Sequence, residues 1–155
     1  MITAWRLVKT RYADSAFTGE GARLYGSRWN SPGVSVAYAS DSPALAVLEV
    51  LVHLQASQFL PSYSFVTVSF LQSLVETVPA RDLPAAWQRS PAPLEVQAIG
   101  DAWAAEQRSA VLRVPSALLA PASNYIPNPA HPDFGSVRIG SPEPFQFDPR
   151  LIRLP

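Results

Sequence analysis

The segment AFTGEGARLYGSRWNSPG, residues 16–33, mixes glycines and polar groups with Phe17, Tyr25 and Trp29. A plain surface loop rarely collects such rings. A loop folded over a ligand pocket does, because rings supply contact area and glycines let the backbone approach closely. The same segment carries Arg28, whose other reading is a surface arginine paired with an acid. Tyr38 follows, and then Glu49, flanked by Leu48 and Val50 and one helical turn from Leu45 and His53. A carboxylate among apolar neighbours sits either at the outer edge of its helix or aimed into a cleft. His53 either orients Glu49 or is a satisfied buried histidine. Ser116 follows Pro115 at a strand end, where its plain role is to cap the next turn. Asn124 and Asn128 fit tight turns and ligand contact equally well.

Three other patterns carry no chemistry. Gly19-Glu20-Gly21 has no strand before it and no third glycine in place, so it is no dinucleotide fingerprint. Asp133-Phe134-Gly135 spells a kinase triplet in a chain too short for a kinase and without its lysine strand or catalytic loop. Ser116 has no histidine placed to activate it, which argues against a nucleophilic serine. The two histidines, His53 and His131, have nothing beside them at ligand spacing, so no metal site is expected.

The elements that must position these residues are partly legible. Thr3 to Val8 reads as a short strand and Lys9 to Ala22 as loop. Ser35 to Ala39 reads as a second strand. Ser42 caps the clearest helix, with Pro43 at its first position and Ala44, Leu45, Leu48, Leu51 and Val52 at helical spacing, running to about Gln55. Tyr63 to Phe70 alternates as a strong strand. A second helix is expected from Leu94 to about Glu106, despite Gly100 inside it. Ala110 to Val114 reads as a strand ended by Pro115, Pro121 to Asp133 as mostly loop, and Phe145 to Phe147 as a last strand. Helices and strands mix without regular alternation, which predicts an α+β fold around one twisted mixed sheet with flanking helices.

Composition narrows the function. The 155 residues, 1–155, are one domain's worth, and 48% hydrophobic content predicts a folded globule. Net charge is zero and the arginines form no run, which excludes a basic nucleic-acid footprint. Charged residues are only 15%, so a permanent partner covering some surface is one reading and a compact monomer the other. Cysteine is absent, which excludes disulfide and thiolate chemistry and fits a reducing compartment. No stretch reaches the roughly 18 apolar residues of a membrane span, and the first ten residues have no signal-peptide pattern. The expected location is the cytoplasm.

Taken together, the run from Phe17 to Gly33 resembles the RES family, whose hallmark is a Gly-Glu-Gly-Ala segment leading into Gly-Gly-Arg-Trp-Asn. Tyr38, the Leu48-Glu49 pair followed by His53, Arg113-Val114-Pro115-Ser116, and the segment from Asn124 to His131 continue the resemblance, which covers Trp5 to Phe147. Ser27 stands where the family usually has a second glycine before the arginine. The resemblance implies a fold similar to the ADP-ribosyltransferase toxins, an NAD pocket, and pairing with an antitoxin that carries an Xre-like helix-turn-helix. The family's arginine, glutamate and serine match Arg28, Glu49 and Ser116.

The resemblance also implies roles. Arg28 would grip the NAD pyrophosphate through its guanidinium fork. Glu49 would stabilise the oxocarbenium character that develops when the bond to nicotinamide breaks, and would hold the ribose 2′-hydroxyl. Tyr25 or Tyr38 would stack on or bond to the nicotinamide riboside half, with Tyr38 counted alongside Glu49 and Arg28 in the catalytic set. Ser116 and Asn124 would contribute polar contacts to the bound NAD. Trp29, Phe17 and Asn30 would be pocket walls or loop pins. The expected function is a toxin that cleaves the nicotinamide–ribose bond with water or phosphate as acceptor. The alternatives are transfer of ADP-ribose to a protein and a non-catalytic NAD-binding module.

Overall fold

The computed structural model describes residues 1–54 and 61–151. Its spine is the pair of strands that the sequence marks most clearly. β1 (Ile2–Lys9) runs antiparallel to β3 (Tyr63–Phe70) in unbroken register from Ile2↔Phe70 to Lys9↔Tyr63. Alternation along β3 sends Val66, Val68 and Phe70 into the core, where they are at most 1% exposed. The long excursion between the two strands carries α1 (Glu20–Tyr25), β2 (Ala39–Ser40) and α2 (Pro43–Leu51).

The second half adds β4 (Val75–Thr77), α3 (Leu94–Ala105), β5 (Val111–Pro115), β6 (Ser123–Pro127), β7 (Arg138–Ile139) and β8 (Glu143–Phe145). Among the described residues the strands form one sheet in the order β4-β5-β6-β2-β1-β3-β7, with β8 also on β3. Among the described residues only β4 and β5 pair in parallel; the other ladders are antiparallel. This is the mixed sheet of an α+β fold.

The two-residue β2 is the waist of the sheet. It meets β1 only at Trp5↔Ser40 and β6 at Ala39↔Tyr125 and Ser40↔Asn124. On the β1 side no ladder precedes that pair, so β1 and the residues before Ala39 part, and a cleft opens at the divergence. Helices α1, α2 and α3 all contribute to its wall. Ser42 Oγ accepts from Leu45 N at 3.1 Å and starts α2, which buries Leu45 and Ala46. α3 buries Val96 and Trp103 in a cluster with Trp29, Trp87, Leu112 and Val114.

Several expectations need correction. Lys9 to Ala22 is not all loop: a 3₁₀ turn spans Thr10–Ser15, and α1 begins at Glu20 behind Gly19, whose φ of 79° suits a glycine. The strand expected at Ser35 to Ala39 forms only at Ala39–Ser40. Ala37 N does donate to Pro127 O at 3.0 Å, but Pro127 has no N–H to return the bond, so the ladder stops. Pro121 to Asp133 contains β6, because its prolines bracket the strand and spare its interior. The last strand lies at Glu143–Phe145; Phe147 instead packs edge-on against Tyr63, ring centroids 5.0 Å apart. β4 and β7 were too short to be expected. α2 ends at Leu51, and Gln55 lies outside the described residues.

Candidate functional site

The cleft at the waist has a volume of about 900 Å³, at the upper end of small-molecule sites. Arg6, Tyr25, Arg28, Tyr38, Glu49, His53 and Asn124 all line it. Phe17, Asn30, Ser116 and Asn128, also singled out from sequence, are not on its wall.

Arg28 sits in a loop that is fastened from several sides. Asn30 is fully buried, and its amide nitrogen donates to the carbonyls of Ala22, Ser31 and Val34. The Tyr38 hydroxyl donates to Asn30 Oδ1 at 2.6 Å and accepts from Trp29 N at 3.1 Å. From α3, Asp101 accepts from Ser31 N at 2.9 Å and Gln97 donates to Ser27 O at 2.9 Å. Gly100 lets the two backbones touch: a Cβ there would fall 1.7 Å from Trp29 O. Arg28 itself is half-buried, and both protons of Nη1 go to the carbonyls of Trp87 and Arg89, each at 2.8 Å. Those bonds fix the guanidinium, and none of the hydrogen bonds among the described residues uses Nη2 or Nε. Burial lowers its pKa from the ordinary value, partly offset by the negative charge of Glu49.

Tyr38 therefore holds the loop with its hydroxyl. Burial pushes that hydroxyl's pKa up, despite the bond from Trp29. Its oxygen already gives one bond and takes one, and its proton is committed to Asn30. What Tyr38 offers the cleft is its ring.

Glu49 projects from the middle of α2 and is half-buried. Ser116 Oγ donates to its Oε1 at 3.1 Å. Ser116 is wholly buried behind the cleft wall. His53 is exposed on the cleft rather than buried, which corrects the expectation of a satisfied core histidine. Tyr25 stands at the rim, 83% exposed. Asn124 donates to Ser40 Oγ at 3.2 Å on the floor. Asn128 closes a turn, accepting from Ala130 N at 3.0 Å, and Phe17 belongs to the main core.

Sequence reasoning missed Arg6. It lies within β1, and its Nη1 donates to Tyr38 O at 2.9 Å across the gap where β1 and the chain before β2 part. Its Nε is buried without a hydrogen-bond partner. Burial lowers its pKa, partly offset by Tyr38. The available signal was a cation in mid-strand, between the apolar Trp5 and Leu7. A half-buried guanidinium on a cleft wall, with its Nε shielded and unpaired, suits an anionic ligand.

The RES domain profile matches residues 3–148. The chain belongs to the RES-domain family. A protein named Toxin Res from Yersinia enterocolitica is 38% identical over 149 residues, covering 95% of this chain and 97% of the relative. A Sphingobium protein named Prs ADP-ribosylating toxin is 35% identical over 155 residues, covering 96% of each. The solved M. tuberculosis MbcT–MbcA toxin–antitoxin complex contains a chain that superposes with a TM-score of 0.75 at 23% identity, over 94% of this chain and 84% of that one. That likeness carries the fold. The RES match encloses every cleft residue named above.

Proposed function

We propose that this RES-domain chain is the toxin of a toxin–antitoxin pair and that it breaks the nicotinamide–ribose bond of NAD. The observation that carries the reading is the meeting, in one cleft, of two guanidinium groups and a carboxylate from three separate elements. Arg6 comes from β1, Arg28 from the fastened loop and Glu49 from α2. NAD presents the matching chemistry: a doubly charged pyrophosphate and a ribose that becomes cationic as its bond to nicotinamide stretches.

In this reading Arg28 and Arg6 hold the pyrophosphate, and the bonds to the Trp87, Arg89 and Tyr38 carbonyls keep both forks aimed before the substrate arrives. Glu49 lies against the developing oxocarbenium and accepts from the 2′-hydroxyl. The electron pair of the broken C–N bond leaves with nicotinamide, which is cationic beforehand and departs neutral, so no general acid is required. Water then gives ADP-ribose and a proton; phosphate gives a phosphorylated ADP-ribose. Tyr25 and the Tyr38 ring flank the nicotinamide riboside half, and Asn124 adds a polar contact. A binding module without turnover would not need a carboxylate at this place.

One observation favours a second reading: the relative named Prs ADP-ribosylating toxin matches over 96% of both chains. A protein side chain would then replace water as the acceptor. Incubating the purified chain with NAD, with and without phosphate, and following nicotinamide tests the first reading. Isotope-labelled ADP-ribose appearing on a protein from lysate would select the second. The antitoxin is proposed to carry an Xre-like helix-turn-helix and to plug the cleft. Val52 and Leu118, 53% and 44% exposed on the cleft, suit cover by a partner.

A further inference from the structure

Ser116 is the member of the family's Arg-Glu-Ser set that does not reach the cleft, and its hydrogen bonds explain why. A hydroxyl has one proton and two acceptor lone pairs. Leu118 N and Leu119 N both donate to Ser116 Oγ, at 3.2 and 3.3 Å. Those two donors occupy the lone pairs and leave the proton one direction to go. It goes to Glu49 Oε1, 3.1 Å away. The serine is 0% exposed, so neither space nor bonding capacity remains for a ligand.

From this geometry we propose that Ser116 is a positioning residue acting through Glu49, and that it never contacts NAD. The inference rests on the NAD-cleaving reading above. A glutamate in the middle of a helix has several rotamers open to it, and losing that freedom during the reaction costs rate. The Ser116 bond fixes Oε1 beforehand and leaves Oε2 to the cleft. The same hydroxyl folds the turn after β5, whose Ala117 and Leu118 form part of the cleft wall and whose Ala117 O accepts from Gln88 Nε2 at 3.2 Å. One buried atom thus sets the carboxylate and the facing wall in a common frame.

The test separates turnover from binding. For Ser116→Ala the expected result is a fall of about 10- to 100-fold in kcat for nicotinamide release, with the Kd for ADP-ribose, by calorimetry, within about twofold of the parent. Ser116→Thr, which keeps the hydroxyl, should recover most of the rate. In the Glu49→Gln background, Ser116→Ala should cost little further, because its route to the reaction is already gone. Should Ser116→Ala fail to fold, the near-isosteric Ser116→Cys, with its weak donor, enters the same series. An unchanged kcat overturns the proposal. So does a Kd raised beyond about fivefold, whatever kcat does, since that marks a ligand contact. If Glu49→Gln itself turns over normally, it is the NAD-cleaving reading that fails, and the two failures are therefore distinct.

Discussion

At the scale of single residues, the proposed chemistry rests on charged groups that backbone carbonyls hold in place. Arg28 spends one nitrogen on two carbonyls and keeps the rest of its fork for the cleft. Arg28→Lys retains a positive charge but has no planar fork to divide between anchor and ligand. ADP-ribose affinity should fall roughly tenfold or more, measured by calorimetry; an unchanged Kd would make Arg28 a purely structural arginine. Glu49→Gln keeps shape and removes charge, so it should melt like the parent yet release nicotinamide about 100- to 1000-fold more slowly. Arg28 and Glu49, both on the cleft wall, stood out in sequence because the motifs resembling the RES family surround them. Arg6 was not, since a single arginine in a strand gives no sign of which neighbour its fork will find. The saturation of the Tyr38 and Ser116 hydroxyls was equally hidden, because it depends on partners 8 and 67 residues away.

At the scale of elements, the arginine loop borrows its rigidity from α3. Gly100 is the point of contact, and no side chain fits between it and the Trp29 carbonyl. Gly100→Ala must push the loop away and carry Arg28 with it. The expected loss is about 1–3 kcal/mol of stability, read from urea unfolding, together with clearly weaker ADP-ribose binding. Gly135→Ala is the control, because a Cβ there meets nothing within 4 Å and its backbone is not left-handed. Equal melting and binding for the two variants would contradict this account of the loop. The sequence marked Gly100 only as an oddity in a helix, since its reason lies in a backbone contact 71 residues back. Strong alternation and a capped, proline-started helix made β1, β3 and α2 readable. β2, β4 and β7 have two or three residues each and exist only through their neighbours, so no local pattern announces them.

At the scale of the whole molecule, the narrow waist at β2 makes the cleft and the fold inseparable: closing the β1 ladder onto residues 34–38 would fill the site. An enzyme that consumes NAD must also be restrained in its own cell. Expression of this chain from a tight promoter should halt growth, and co-expression of a neighbouring Xre-like protein should restore it. The purified complex should not bind ADP-ribose if the cleft is plugged. Harmless high-level expression of the wild type counts against the toxin reading, and a complex that binds ADP-ribose at full affinity refutes plugging as the means of control.

The reaction proposed for this cleft is cleavage of the bond between nicotinamide and ribose. Its most direct test is to incubate the purified chain with NAD and quantify free nicotinamide against NAD consumed, beside Glu49→Gln at the same folded concentration. One nicotinamide is expected for each NAD lost, with the variant nearly silent. NAD that binds in the cleft and is recovered intact, or nicotinamide released equally well by both proteins, would contradict it.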